Sequence, residues 1–193
     1  MWIPRLTLIV LLVSLAACTT MRPEDFAGSA PEFVLEDYFL GKTRAWGMVQ
    51  DRSGKPTRYF TVDIEGSLEG DELVLREDFV FRDGERSQRI WRIRKLDQHT
   101  YQGSAGDVVG TASGRRFGNA LNWQYDLLVT VKDRQWQLHF NDWMFLHDDG
   151  VLVNRAEMSK FGIRVGEIVL FFSKNADRDA RSRRAARSTG AAP

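Results

Sequence analysis

Two charged side chains interrupt the apolar faces of two consecutive predicted strands. Glu77 falls in an alternating apolar pattern, and Arg89 falls on the same face as Trp91 and Ile93. The intervening residues Arg82-Asp83-Gly84 predict a hairpin turn with Gly84 in the left-handed position, which places Glu77 directly opposite Arg89. Ionised groups inside a barrel lose hydration that their mutual attraction only partly restores. The pair therefore indicates either a handle for the polar end of a ligand or a structural pair near the barrel rim that fixes the strand register.

Further polar side chains fall on predicted inward positions of the later strands, namely Asp142, Asn154, Lys160 and Glu167. Together with Tyr125 they predict one polar patch in an otherwise apolar cavity, the usual composition of a small-molecule site. The six tryptophans and twelve phenylalanines of the chain suit either a solid core or a lipid-sized pocket. The candidate ligand-binding residues are Glu77, Arg89, Trp91, Trp123, Tyr125, Asp142, Asn154 and Lys160.

The sequence contains few of the residue patterns that are typical of catalytic sites. The chain has no G-x-S-x-G motif and no phosphate-loop motif, and Glu77 alone supplies half of a two-carboxylate mechanism. His139 falls on an outward position, and His147 lies in an acidic turn that is better explained by solvation than by metal binding. We therefore expect no enzyme, no cofactor and no metal site; a hydrolase or isomerase that uses Glu77 is the weaker alternative.

These side chains must be positioned by β-strands in which apolar and polar residues alternate. Apolar residues alternate with polar ones from residue 32 onward, most clearly in Leu121 to Val131, and turn sequences separate the segments. The stretch Pro31 to Phe39 fits a short helix, and the repeated glycines of Tyr101 to Gly118 indicate bulges or sharp bends. About eight to ten strands, each with one apolar face, predict an all-β fold: an up-and-down antiparallel barrel of the lipocalin type, with a two-sheet sandwich as the second choice.

The N-terminal residues are similar to a bacterial lipoprotein signal. Arg5 precedes a short apolar run that is not long enough to span a bilayer, and Leu15-Ala16-Ala17-Cys18 resembles the lipobox of that class. The resemblance implies that Cys18 carries lipid and begins the mature protein. Thr19 stands where an aspartate would retain a lipoprotein in the inner membrane, which implies the periplasmic face of the outer membrane. An ordinary signal peptide with an incidental cysteine is the alternative.

Composition completes the domain prediction. We expect a signal peptide at 1–17, a lipidated cysteine and tether at 18–31, the barrel at 32–175 and a disordered basic tail at 176–193. Cys18 is the only cysteine, so a disulfide framework is excluded. The net charge of +1 provides no global field for nucleic acid, and we expect none as a partner.

The strand segments resemble an uncharacterised family of proteobacterial putative lipoproteins, a domain of unknown function. The resemblance spans about residues 33–174. It rests on Tyr38-Phe39-x-Gly41, Glu77-x-Phe79-x-Phe81-x-Asp83-Gly84 with Arg89-x-Trp91, Gly118-Asn119-Ala120 with Trp123-x-Tyr125, Asn141-Asp142-Trp143-Met144, and Asn154-Arg155-Ala156-x-Met158-x-Lys160-Phe161-Gly162. It supports the lipoprotein interpretation and implies no activity. A looser likeness is to lipocalins, although their Gly-x-Trp order is absent here, where Trp46-Gly47 stands early in the domain.

Two functional hypotheses follow. In the first, a lipid-anchored barrel facing the periplasm binds a small amphipathic ligand, such as a lipid or fatty acyl compound. Glu77 and Arg89 meet its polar end, and Trp91, Trp123 and Tyr125 line its apolar part. In the second, the interior is solid core, and the outward aromatic side chains of Trp143 and Phe145 contact an envelope protein.

Overall fold

The computed structural model describes residues 21–131 and 133–174. The predicted signal peptide, Cys18 and the basic tail at 176–193 lie outside the described residues. Within these residues the fold is all-β, with one 3₁₀ helix at Pro23–Phe26 and one short α-helix, α1, at Leu35–Phe39. No helix in the described ranges has the length and apolar character needed to cross a membrane.

Ten antiparallel strands close into a single barrel. Each strand pairs with its neighbours in sequence, and the first strand closes the barrel by pairing with the last. This confirms the predicted up-and-down barrel and excludes the two-sheet sandwich. The strands are β1 (Gly41–Asp51), β2 (Pro56–Glu69), β3 (Glu72–Phe81), β4 (Arg86–Lys95), β5 (Thr100–Ser104), β6 (Val108–Phe117), β7 (Ala120–Val131), β8 (Arg134–Leu146), β9 (Leu152–Lys160) and β10 (Ile163–Ser173).

The turn between β3 and β4 sets the register that the sequence predicts. Gly84 has a φ of 93°, a left-handed conformation that glycine adopts without steric cost. The backbone of Phe81 then bonds that of Glu85, and Glu77 lies opposite Arg89 across the ladder. Apolar side chains from the inner faces of the strands form one continuous core. The predicted inward and outward faces of both strands are thereby confirmed.

The glycine-rich stretch forms two strands, β5 and β6. The register shifts between Val109 and Ser113, around Gly110, which confirms an irregularity in this stretch. Gly103 and Gly114 have a different role, because a Cβ atom at either position would collide with the indole of Trp123. These two glycines let a large aromatic ring lie flat against the inner wall.

One end of the barrel, called here the helix end, is closed by α1, which confirms the predicted short helix. Phe33, Tyr38 and Phe39 are buried there, and Phe39 packs edge-on against Phe172 of β10 at 5.7 Å between ring centroids. The Tyr38 hydroxyl shares its one proton between the backbone carbonyls of Gly150 and Phe172, at 3.1 and 3.2 Å. The helix therefore closes this end of the barrel with packed aromatic rings, and a hydrogen-bonded hydroxyl ties it to the neighbouring strands.

The segment before α1 packs against the outside of the barrel. The ring of Phe26 lies 5.3 Å from that of Phe145 and 5.8 Å from that of Trp143. Ser29 donates a hydrogen bond to the side chain of Asn119, at 2.8 Å between the oxygen atoms. The described part of the predicted tether, residues 21–31, is thus attached to the wall instead of spanning free space. It also covers part of the Trp143 and Phe145 surface to which the second hypothesis assigns a partner.

Candidate functional site

A cavity of about 120 Å³ lies inside the barrel above the helix plug. Leu35 and Phe39 form its floor, and apolar side chains from the strands form most of its wall. Seven of the eight predicted ligand-binding residues line it: Glu77, Arg89, Trp91, Trp123, Tyr125, Asp142 and Asn154. Widely separated parts of the chain therefore meet at one place because their strands share the barrel interior.

Aromatic rings give this cavity a defined shape. Trp91 packs edge-on against Trp123 and Tyr125, with ring centroids 5.7 and 5.3 Å apart. Tyr125 in turn stacks on Phe140 at 5.1 Å. Such contacts fix the orientation of each ring, so the wall beside the polar side chains is rigid and apolar.

Arg89 makes its ion pair with Asp107, a residue that sequence reasoning missed. Its Nη2 donates to Asp107 Oδ2 at 2.8 Å, and its Nε lies 3.1 Å from both carboxylate oxygens. Asp107 lies in the turn between β5 and β6, where the sequence has no alternating pattern from which to predict which way a side chain points. Its side chain is 39% exposed, so water reaches this end of the interior, which we call the solvent end.

Glu77 lies beside this pair and carries a perturbed carboxyl group. Burial raises its pKa to about 7, and the nearby Asp107 carboxylate acts in the same direction. The charge of Arg89 and a hydrogen bond with Trp91 oppose that increase. Glu77 and Arg89 are therefore cross-strand neighbours, as predicted, but the guanidinium of Arg89 donates its hydrogen bonds to Asp107.

Asp142 faces the same interior from β8 and is only 6% exposed. Burial raises its pKa to about 7; Asn154, Tyr125 and Arg89 favour its ionised form, and the charge of Glu77 disfavours it. Tyr125 donates a hydrogen bond to Asp142 Oδ2 at 3.4 Å, while Oδ1 has no hydrogen-bond partner among the described residues. Burial and the adjacent Asp142 also raise the pKa of the Tyr125 phenol.

Asn154 completes this group from β9 and is 1% exposed. The Asn154 side chain lowers the pKa of Asp142 through a weak hydrogen-bonding contact with its carboxyl group, but neither Nδ2 nor Oδ1 has a hydrogen bond of good geometry within the described ranges. A buried polar atom without a partner costs about 1–3 kcal/mol. Three such atoms meet at Asp142 and Asn154, and this is the arrangement expected where a ligand or an ordered water completes the bonding. We refer to Glu77, Arg89, Asp107, Tyr125, Asp142 and Asn154 as the polar cluster.

Two predicted inward residues do not join the polar cluster. Lys160 is not part of the described cavity lining, and its Nζ lies 3.5 Å from the ring centroid of Trp136. Glu167 bonds the outward Arg155 at 2.7 Å, whereas its chain neighbour Ile168 lines the cavity. The prediction that Glu167 points inward is therefore wrong. An irregular register between Arg164 and Gly166 accompanies the reversed alternation of β10.

The histidines lie away from the cavity. His139 bonds Asp126 at 2.8 Å on the outer face, and His99 stacks on Phe117 with ring centroids 4.1 Å apart. Across residues 21–131 and 133–174, no three His, Cys, Asp or Glu side chains are grouped as metal ligands.

The fold and this site define a closed ten-stranded barrel with a small, partly polar interior cavity. The chain belongs to the family described as "Protein of unknown function (DUF3833)", whose model matches residues 12–174. This confirms the predicted resemblance to an uncharacterised domain family. No curated protein matches the sequence.

Proposed function

We propose that the protein binds a small amphipathic ligand inside the barrel, with the polar end of the ligand at the polar cluster. The observation that carries this proposal is the group of unpartnered atoms on Asp142 and Asn154. A solid core of this fold would place apolar side chains at both positions, since each buried orphan group costs stability. The apolar part of the ligand lies along Trp91 and Trp123.

The size of the cavity restricts what the ligand can be. A volume of about 120 Å³ is that of roughly four liquid waters, and drug-sized ligands occupy about 300–1,000 Å³. A polar head with a few carbon atoms therefore fits the interior as it stands. A long acyl chain fits only if it extends past Arg89 and Asp107 at the solvent end.

Native mass spectrometry of the purified protein tests this function, followed by extraction and identification of any bound compound. We expect a released small molecule from the wild type and none from Asn154→Leu, which fills the polar site with an apolar side chain. Asn122→Leu is the matched control, because Asn122 is a buried asparagine bonded outside the cavity. A cavity holding only water, with no compound released from the wild type, would contradict the proposal.

We further propose that lipid on Cys18 anchors the protein to the periplasmic face of the outer membrane. The lipobox-like Leu15-Ala16-Ala17-Cys18 supports this, as does Thr19 at the following position. Metabolic labelling with a fatty acid, followed by membrane fractionation, tests it. We expect label in the wild type, none in Cys18→Ala, and recovery of that variant outside the outer-membrane fraction. An unlabelled wild type would contradict the anchor.

A second candidate function is contact with an envelope protein through the outer wall. Trp46 of β1 and Phe171 of β10 are register partners on the outer face, and each is nearly half exposed. Adjacent exposed aromatic side chains are typical of contact surfaces. Crosslinking in cells from Trp46 separates the two functions: a stable protein partner, with no ligand in the barrel, favours this one.

A further inference from the structure

The polar cluster contains more acidic groups than basic ones. Glu77, Asp107 and Asp142 supply three carboxyl groups, whereas Arg89 is the one cation among the described residues that line the cavity. Arg89 also uses its Nε and Nη2 on Asp107. A ligand that enters this site therefore meets unbalanced negative charge and a guanidinium that is already paired.

The unpartnered atoms have the same bias. Asp142 Oδ1 and Asn154 Oδ1 are hydrogen-bond acceptors, and only Asn154 Nδ2 is a donor. Both acceptors belong to nearly fully buried side chains that line the cavity. An ammonium group carries three N–H donors and no acceptor, so it complements these two oxygens better than any anion does.

The aromatic wall adds a third observation. Trp91, Trp123 and Tyr125 line the cavity beside Asp142. The faces of indole and phenol rings attract cations, and the attraction is strongest where water is excluded. Carboxylates together with aromatic faces are the chemistry by which proteins receive organic ammonium groups.

We propose that the ligand class of this site is a small aliphatic primary amine, with its ammonium group between Asp142 and Asn154 and its hydrocarbon along Trp91 and Trp123. This inference rests on the proposed function and narrows it. It excludes a fatty acid as the preferred ligand, because a carboxylate would lie near Glu77 and Asp142 and would have to displace Asp107 from Arg89.

The pH dependence of binding follows from the groups that face Asp142. These are Glu77 from β3, Arg89 from β4, Tyr125 from β7, Asn154 from β9, and Asp107 in the adjoining turn. The carboxyl groups of Glu77 and Asp142 both have a pKa near 7. Their ionisation strengthens the attraction for an ammonium group, so amine binding should tighten between about pH 6 and pH 8, and carboxylate binding should weaken.

Calorimetric titration of the wild-type protein with propylamine, propanol and propanoate tests the inference, since these probes share one chain of a length that the cavity holds and differ in the head group. At about pH 8 we expect propylamine to bind at least about tenfold more tightly than propanoate. Asp142→Asn should weaken propylamine by about tenfold and change propanol by less than about twofold. Asp126→Asn, on the outer face of β7, is the matched control and should leave all three unchanged.

The outcomes separate this inference from the function on which it rests. If propanoate or propanol binds more tightly than propylamine, the amine assignment is wrong and the ligand-binding function stands. If none of the three binds and the purified protein releases no small molecule, both are wrong. The comparison of the three probes uses the wild-type protein alone, so it remains decisive even if Asp142→Asn fails to fold.

Discussion

Two buried polar groups of the barrel interior differ in how completely they are bonded. At the helix end, the buried Tyr101 hydroxyl donates to Glu36 at 2.9 Å, and Glu36 also pairs with Lys95 at 2.7 Å. In the cavity, Asp142 and Asn154 are equally buried and have three atoms without hydrogen-bond partners among the described residues. Single unpartnered atoms also occur on Thr43 and Arg116 near the helix end, so the cavity differs in bringing three of them together.

This comparison separates stability from function within one small domain. Buried polar groups with complete bonding add specificity at little cost, whereas unpartnered groups lower the free energy of unfolding. A site retained at such a cost points to a use for those groups beyond folding. The bonded group of Tyr101, Glu36 and Lys95 therefore stabilises the fold, whereas the unpartnered atoms of the polar cluster lower its free energy of unfolding.

The largest expected effect is at the helix end. Phe33→Ala removes a fully buried ring from the plug and should lower the free energy of unfolding by about 3–5 kcal/mol. Leu68→Ala, at an exposed position of β2, should change it by less than about 0.5 kcal/mol. Equilibrium denaturation with urea measures both. Equal effects at the two positions would contradict the role of Phe33 in the plug.

The second effect depends on pH. The pKa of Glu77 is raised from 4.5 to about 7 on folding, so the folded state binds the proton more tightly than the unfolded chain does. The stabilisation is therefore complete below about pH 4.5 and is lost as pH rises through about 7, while Arg89, Asp107, Trp91 and Asp142 surround the group. Glu77→Gln should remove roughly 2 kcal/mol of the decline between pH 5 and pH 8.

Urea denaturation across that pH range makes the measurement. The matched control is Glu65→Gln, on the exposed outer face of β2, which should keep the wild-type decline. A decline that is the same in the wild type and in Glu77→Gln would show that Glu77 is not the buried proton-binding group.

The third effect has the opposite sign from an ordinary core substitution. At about pH 5, where the Asp142 carboxyl is protonated, Asn154→Leu removes two unpartnered atoms and should raise the free energy of unfolding by about 1–2 kcal/mol in ligand-free protein. Asn122→Leu removes an amide that bonds Asn141 and the carbonyl of Asp142, so it should lower that free energy by about 1–3 kcal/mol. Thermal and urea unfolding measure the pair. Destabilisation of similar size in both variants would remove the contrast between the two regions.

The smallest effect concerns the ion pair at the solvent end. Asp107→Asn should cost less than about 1 kcal/mol, because the carboxylate is partly exposed. It also frees Arg89 for Glu77 and removes a repulsion, which should lower the pKa of Glu77. The pH-dependent decline in stability should shrink accordingly, and an unchanged decline would argue against this coupling.

The sequence predicted the parts of the site whose register depends on short turns. Glu77 and Arg89 flank a three-residue turn, so their pairing follows from counting, and Tyr125 and Asp142 lie on the regular β7–β8 hairpin. Counting failed where the ladder is irregular, as at Glu167 beyond the shift near Gly166. Counting residues also gave no information on Asp107, because a residue in a turn does not follow the alternation of inward and outward side chains along a strand.

The attachment of the N-terminal segment was not predicted for a different reason. Residues 21–31 have a polar composition typical of a linker, and composition reports average solubility rather than individual contacts. The signal that was present is Phe26, a single large ring in a polar segment. Its contact with Trp143 and Phe145 depends on tertiary packing, which local pattern does not encode.

That contact also determines how a chain held at Cys18 would carry its barrel. Phe26 sits on the flank of β8 with seven residues between it and Cys18. If lipid on Cys18 anchors the chain, as proposed, those residues limit the distance between the membrane surface and this face of the barrel to roughly 25 Å. Exchanging Phe26 for serine would lengthen that reach while leaving the interior chemistry intact.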